Sequence, residues 1–181
     1  MSLGVVGEEH WFVPAFTLKR DNTLSTFHGL AGNENRKKLA DRFLRPTRWG
    51  DYCNDVSEDG CSSEDGVAKR RPETTDAENL FFDENLYTGH FRRTPDNDCV
   101  TFPDNCTGHF IDFPCGWKRF FLQQAHHLDI GLKSNGDTDA GGYTYGEMVQ
   151  IWYAANWTKS DAVGWWWRPE KLYQQFQGTD S

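Results

Sequence analysis

Three consecutive tryptophans, Trp165-Trp166-Trp167, closed by Arg168-Pro169, carry the most distinctive chemistry in this chain. Electron-rich indole faces hold soft cations, each contact contributing about 0.5–2 kcal/mol. A second stretch has the opposite preference. Pro114-Cys115-Gly116-Trp117 runs into Lys118-Arg119-Phe120-Phe121-Leu122-Gln123-Gln124-Ala125, which reads as a tight turn followed by a helix. The unpaired N–H groups and positive dipole end of a helix start attract an anion. Lys118 and Arg119 reinforce that sign, and Trp117 brings another ring to the same place. An anion seat beside an aromatic box is what a zwitterion bearing a quaternary ammonium requires.

The elements that must position these groups are legible in outline. Ala162 to Trp167 is a short, uncharged run stopped by a proline, as a buried strand ends at the rim of a sheet. Alternation along such a strand sends Trp165 and Trp167 to one face and Trp166 to the other. Glu9 to Pro14 reads as a second strand end stopped by proline. Pro14 to Lys19 reads as a short helix, and Asn33 to Phe43 as a longer one, capped by Asn33 or Asn35 and ended by Pro46. Leu39, Ala40 and Phe43 lie along its apolar face. Tyr143 to Asn156 gives the clearest helix, with Met148, Ile151, Trp152 and Ala155 on one stripe. Leu172, Tyr173 and Phe176 begin another. The tetrapeptide Thr-Gly-His-Phe occurs at 88–91 and again at 107–110, which points to a pair of similar strands with His90 and His109 half exposed.

Composition narrows the classes. The chain has 181 residues and a net charge of -8, a balance that argues against phosphate-backbone binding and hence against a nucleic-acid partner. No apolar run has membrane-spanning length, and the start has neither a basic region nor a hydrophobic signal core. The abrupt ends read as those of a segment of something longer. With 8 Trp and 13 Phe, the chain has more tryptophan than a core of this size needs. Residues 51–79 differ in character: 12 of these 29 residues are charged and Leu, Ile and Phe are absent. Such a stretch buries too little apolar surface to offset its ordering entropy, and reads as a flexible insertion tethered by Cys53 and Cys61.

Of the five cysteines, Cys53/Cys61 and Cys99/Cys106 have spacings suited to small disulfide-closed loops in an exported protein. Zinc is the weaker reading, because no C-x-x-C occurs and the histidines show no ligand spacing. Asn135, Asp137 and Asp139 have the spacing that opens a calcium loop, but the required sixth-position glycine is Ala140, and a solvated loop is preferred. Asn105-Cys106-Thr107 and Asn156-Trp157-Thr158 are glycosylation sequons. No hydrolase elbow, zinc-protease motif, phosphate loop or dinucleotide fingerprint appears, so the expectation is a binding protein without catalysis, cofactor or metal.

Three blocks, in order, resemble the glycine betaine/choline substrate-binding proteins of ABC transporters. They are His10-Trp11-Phe12-Val13-Pro14 with Leu24-Ser25-Thr26-Phe27-His28-Gly29-Leu30; Gly108-His109-Phe110 leading to Pro114-Cys115-Gly116-Trp117; and Gly164-Trp165-Trp166-Trp167-Arg168-Pro169. The resemblance implies an α/β fold, a mixed sheet flanked by helices, forming over 1–181 the second lobe of a type II periplasmic-binding-protein-like clam-shell. It implies Trp117 and Trp165 as cage walls, with Trp167 in reserve, and the amides of Trp117, Lys118 and Arg119 as carboxylate donors. It also implies an extracellular or periplasmic setting, with a transporter's membrane subunits or a receptor's signalling domain as partner. The reading from a different class is a secreted carbohydrate-binding module that stacks sugars on exposed tryptophans. A planar ring platform favours that module, and rings closing on several sides favour betaine.

Overall fold

The structure, a computed structural model, describes residues 8–47, 91–114, 120–136 and 138–176, together with the paths of four short strands between 63 and 87. Those four form two antiparallel pairs, Ser63–Glu64 with Val67–Ala68 and Phe82–Asp83 with Leu86–Tyr87. The rest of residues 51–79, expected to be a flexible insertion and including Cys53 and Cys61, lies outside the described residues.

The fold is mixed α/β. Strand β1 (Glu8–Phe12) pairs antiparallel with β10 (Gly164–Arg168), setting Trp11 opposite Trp165 and Phe12 opposite Gly164. Numbering between them counts the four short strands as β3–β6. Beside β10 runs the segment that begins as β8 (Gly108–His109), parallel to β9 (Leu132–Lys133). At Ile111 it bridges in parallel to Gly164, with Ile111 N donating to Val163 O at 2.9 Å and Trp165 N to Ile111 O at 2.9 Å. The order across this layer is therefore β9, β8 and its extension, β10, β1. Parallel pairs sit inside and the antiparallel strand at the edge, an arrangement common in mixed sheets. Strand β2 (Arg45–Pro46) pairs separately with β7 (Phe91–Arg92).

Gly164 is obligatory at the crossing point. A Cβ there would lie 2.6 Å from Ile111 O and 3.0 Å from Trp152 Cζ2, so any side chain would part the strands or displace the indole.

Helices cover the layer. Helix α1 (Ala15–Arg20) starts immediately after Pro14, as expected of a proline at a helix start. A single turn, α2 (Phe27–Leu30), leads to α3 (Asn33–Arg42). The position before α3 is Gly32, which provides no side-chain cap. Neither asparagine caps the helix: Asn35 Nδ2 donates to Ala31 O and Asn33 Oδ1 accepts from Arg36 Nε. The expected apolar face is present, with Leu39, Ala40 and Phe43 fully buried. The helix ends at Arg42, ahead of Pro46, which belongs to β2.

Helix α4 (Phe121–His127) follows the Pro114–Arg119 region, and α5 spans Tyr145–Thr158. The sequence pattern placed the start of α5 two residues early. Tyr143 is instead a buried residue before the helix, and Thr144 is the cap. Its hydroxyl accepts from Glu147 N, and Glu147 Oε2 accepts from Thr144 N at 2.8 Å, a capping box. Met148 and Ala155 on the predicted stripe are fully buried, and Ile151 and Trp152 nearly so. Helix α6 (Lys171–Phe176) closes the described chain.

One ion-pair cluster ties these parts together. Asp161, between α5 and β10, accepts from Thr17 Oγ1 at 2.9 Å, Arg20 at 2.7 Å and Arg42 at 3.2 Å, joining α1 and α3 to the entrance of the tryptophan strand.

Candidate functional site

Pairing between β1 and β10 decides which tryptophans share a surface. Trp11 and Trp165 are directly opposed and lie on one face of the ribbon; Phe12, Gly164 and Trp166 belong to the other. On the first face Trp11 packs against Phe27, Phe110 and Phe121, with ring centroids 4.9, 4.7 and 5.3 Å away. Phe110 and Phe121 are themselves stacked at 3.9 Å. Trp165 meets the edge of Phe113 at 5.0 Å.

Toward the end of β10 the rings gather into a cluster. Phe113 also reaches Trp166 at 6.1 Å and Trp167 at 5.7 Å. Tyr145, from the first turn of α5, stacks on Trp166 at 5.9 Å and leans against Trp167 at 6.0 Å. Trp165 is 8 % exposed, Trp167 half-buried and Tyr145 45 % exposed, so solvent reaches the cluster through Tyr145 and Trp167. Trp165 and Trp167 are in contact, 5.5 Å apart and tilted by 41°. No cation fits between those two rings, and any ligand must meet their outer faces.

A carboxylate accompanies the rings. Glu170 accepts from Tyr145 OH at 2.8 Å, from Trp166 Nε1 at 3.1 Å and from Leu172 N at 2.7 Å. The last bond holds Glu170 at the start of α6. The pairing with Glu170 raises the Tyr145 phenol above its ordinary pKa, because ionisation would break the hydrogen bond and set two anions together. The site thus combines electron-rich faces with a fixed negative charge.

Of the residues singled out from sequence, Trp165 and Trp167 are brought together on this surface. Trp117, Lys118 and Arg119 lie outside the described residues, but the chain on either side of them is placed. Phe113 packs on Trp165 and Trp167, and Phe121 packs on Trp11. Sequence reasoning missed Tyr145, Phe113 and Glu170 as participants. Only Glu170 left a local signal, an acid three residues after the tryptophan run, and its partners become evident only once α5 is folded back.

The other chemistry-bearing groups fall elsewhere. His109 is buried rather than half exposed: β8 is an inner strand, and its imidazole is covered by Tyr143, whose OH lies 2.8 Å from Nε2. Burial, assisted by the positive charge of Arg45, lowers its pKa to about 3, against opposing contributions from Asn135 and Asp96. Cys99 and Cys106 form the expected disulfide, and Cys106 is buried. Asp137 of the calcium-like loop lies outside the described residues, and among the described residues no group of His, Cys, Asp and Glu is arranged to hold a metal. No helix among them is long and apolar enough to cross a membrane.

Comparison with known proteins returned no match: no family model, curated protein or solved structure is significantly similar to the chain.

Proposed function

We propose that the protein binds, without catalysis, a zwitterion carrying a quaternary ammonium, a glycine betaine-like molecule, for uptake or sensing. One juxtaposition carries the reading. The described residues on the two sides of the Pro114–Trp117 stretch, Phe113 and Phe121, both pack on the ribbon face that bears Trp11 and Trp165. In this reading the ligand's ammonium rests on the outer faces of Trp167 and Tyr145, drawn by Glu170, with Trp117 and Trp165 completing the aromatic walls. The amides of Trp117, Lys118 and Arg119 take its carboxylate.

Ring geometry favours this over a carbohydrate module. The two solvent-reaching rings, Trp167 and Tyr145, are tilted by 44° to each other, so they do not share one plane as a platform for a sugar would. The mixed α/β fold is compatible with a type II periplasmic-binding-protein-like lobe. The Cys99–Cys106 disulfide supports an extracellular or periplasmic setting, with transporter subunits or a signalling domain as partner.

The test is a tryptophan-fluorescence titration of the chain with glycine betaine, choline and a neutral sugar, alongside Trp117→Ala, Trp167→Ala and Glu170→Gln. A saturable betaine response is expected, weakened about five- to thirtyfold by loss of a ring at about 1–2 kcal/mol. A response to sugar alone would assign the surface to carbohydrate, and a betaine affinity indifferent to all three substitutions would refute the site.

A further inference from the structure

The loop closed by the Cys99–Cys106 disulfide presents an asparagine to solvent. Asp98 Oδ1 accepts from Val100 N and Thr101 N, each at 3.0 Å. Phe102 O accepts from Asn105 N at 3.1 Å and from Cys106 N at 2.9 Å. Asn105 stands exposed on the turn these bonds fix, and it opens the sequon Asn105-Cys106-Thr107.

The third residue of that sequon is the telling one. Thr107 is held at the base of the loop by its backbone, N donating to Asp96 O at 2.7 Å and O accepting from Asn97 Nδ2 at 3.0 Å. Its hydroxyl oxygen is buried and has no hydrogen-bond partner among the described residues. A buried hydroxyl left unpaired is a net cost to the fold, and valine, of the same shape, would avoid it. Folding therefore does not account for threonine at this position. Recognition of the chain before it folds does, because N-glycosylation selects asparagine followed two residues later by a serine or threonine hydroxyl.

The other sequon, Asn156-Trp157-Thr158, is a contrast. Asn156 lies half-buried in the last turn of α5 and accepts from Lys159 Nζ at 2.9 Å. Thr158 Oγ1 donates to Ala154 O at 2.7 Å, so that hydroxyl already has a place in the fold. The surface around Asn105 differs as well. Val100 is 94 % exposed and Phe102 54 %, apolar side chains on a loop whose disulfide belongs to an oxidising compartment. A bulky, solubilising glycan beside them would cover them.

We propose that Asn105 carries an N-linked glycan that shields Val100 and Phe102, an inference that rests on the extracellular setting proposed for the chain. The donor is a polyprenyl-pyrophosphate-linked oligosaccharide. The Asn105 amide nitrogen bonds to the anomeric carbon as the bond from that carbon to the pyrophosphate oxygen breaks. The lipid pyrophosphate leaves with the electron pair, and the amide gives one proton to the transferase.

The test directs the full chain through the secretory route of cultured eukaryotic cells. Non-reducing peptide mass spectrometry then follows glycosidase treatment in heavy-oxygen water, which turns a glycan-bearing asparagine into a labelled aspartate. The label is expected at Asn105. Asn105→Gln and Thr107→Val should each abolish it, and Thr107→Ser should retain it. Of the two glycan-free variants, Thr107→Val should unfold at a urea midpoint no lower than that of Asn105→Gln. An unlabelled Asn105 beside an intact Cys99–Cys106 bond would overturn the glycan and leave the extracellular setting standing. An unlabelled Asn105 with that pair reduced would overturn both. A lower midpoint for Thr107→Val would return the hydroxyl to the fold and overturn the role given to Thr107.

Discussion

Lowering the pH should destabilise the fold through one residue, His109. In the folded chain its imidazole resists protonation down to a pH of about 3, because it sits under Tyr143 on an inner strand near the Arg45 guanidinium. In the unfolded chain it titrates at the ordinary value of about 6.5. Below that value the unfolded state takes up a proton the folded state refuses, so stability falls as pH drops from about 6.5 toward 3. The slope approaches 1.4 kcal/mol per pH unit, and between about pH 7.5 and 5 the accumulated loss is about 2 kcal/mol. Folded-state pairing lowers Glu8 through Arg168 and lowers Asp21 and Asp98 through local hydrogen bonds. Those carboxylates matter at more acid pH and are shared by any variant. Urea unfolding at both pH values, for the unaltered chain and His109→Gln, isolates the imidazole. The unaltered chain should lose about 2 kcal/mol more than the variant. Equal losses would refute the argument, because the pH dependence would then come from other groups.

Two further perturbations test the scaffold. Thr144→Ala removes the hydroxyl that accepts from Glu147 N and half of the α5 capping box, and should cost about 1 kcal/mol in denaturant unfolding, with Thr144→Ser retaining most of it. Reduction of the Cys99–Cys106 disulfide, or its replacement by two serines, releases a loop of sequence separation 7; the loop-entropy estimate is about 2.5 kcal/mol, read as a lower urea midpoint.

The elements were legible in the sequence wherever periodicity was strong. The stripe Met148, Ile151, Trp152, Ala155 marks α5, and Leu39, Ala40 and Phe43 mark the buried side of α3, because one face of each helix is covered by the same layer. Local signals failed where a distant residue decides the outcome. His109 alternates with aromatic residues as a half-exposed strand residue would, yet Tyr143 and β9 cover it. Asn33 and Asn35 have the chemistry of caps but spend it on Arg36 and Ala31. Tyr143 looks like the first residue of a helix because it is apolar and in phase, while the Thr144–Glu147 capping box sets the first helical residue at Tyr145, two positions later.

The tryptophans were legible as a group, but not in their division of labour. Alternation says only that Trp165 and Trp167 differ from Trp166; it does not say which side faces what. That is settled by pairing β10 with the other end of the chain, and a slip of one residue would exchange the two sets. Gly164 fixes the register. It must meet Ile111, since a Cβ would stand 2.6 Å from Ile111 O, and it sits opposite Phe12. With that residue pinned, Trp165 is set opposite Trp11, while Trp166 takes the Phe12 side of the ribbon and turns its N–H to Glu170. One glycine thereby assigns neighbouring, chemically identical rings to opposite faces of the ribbon, Trp165 against Phe113 and Trp166 onto the carboxylate of Glu170.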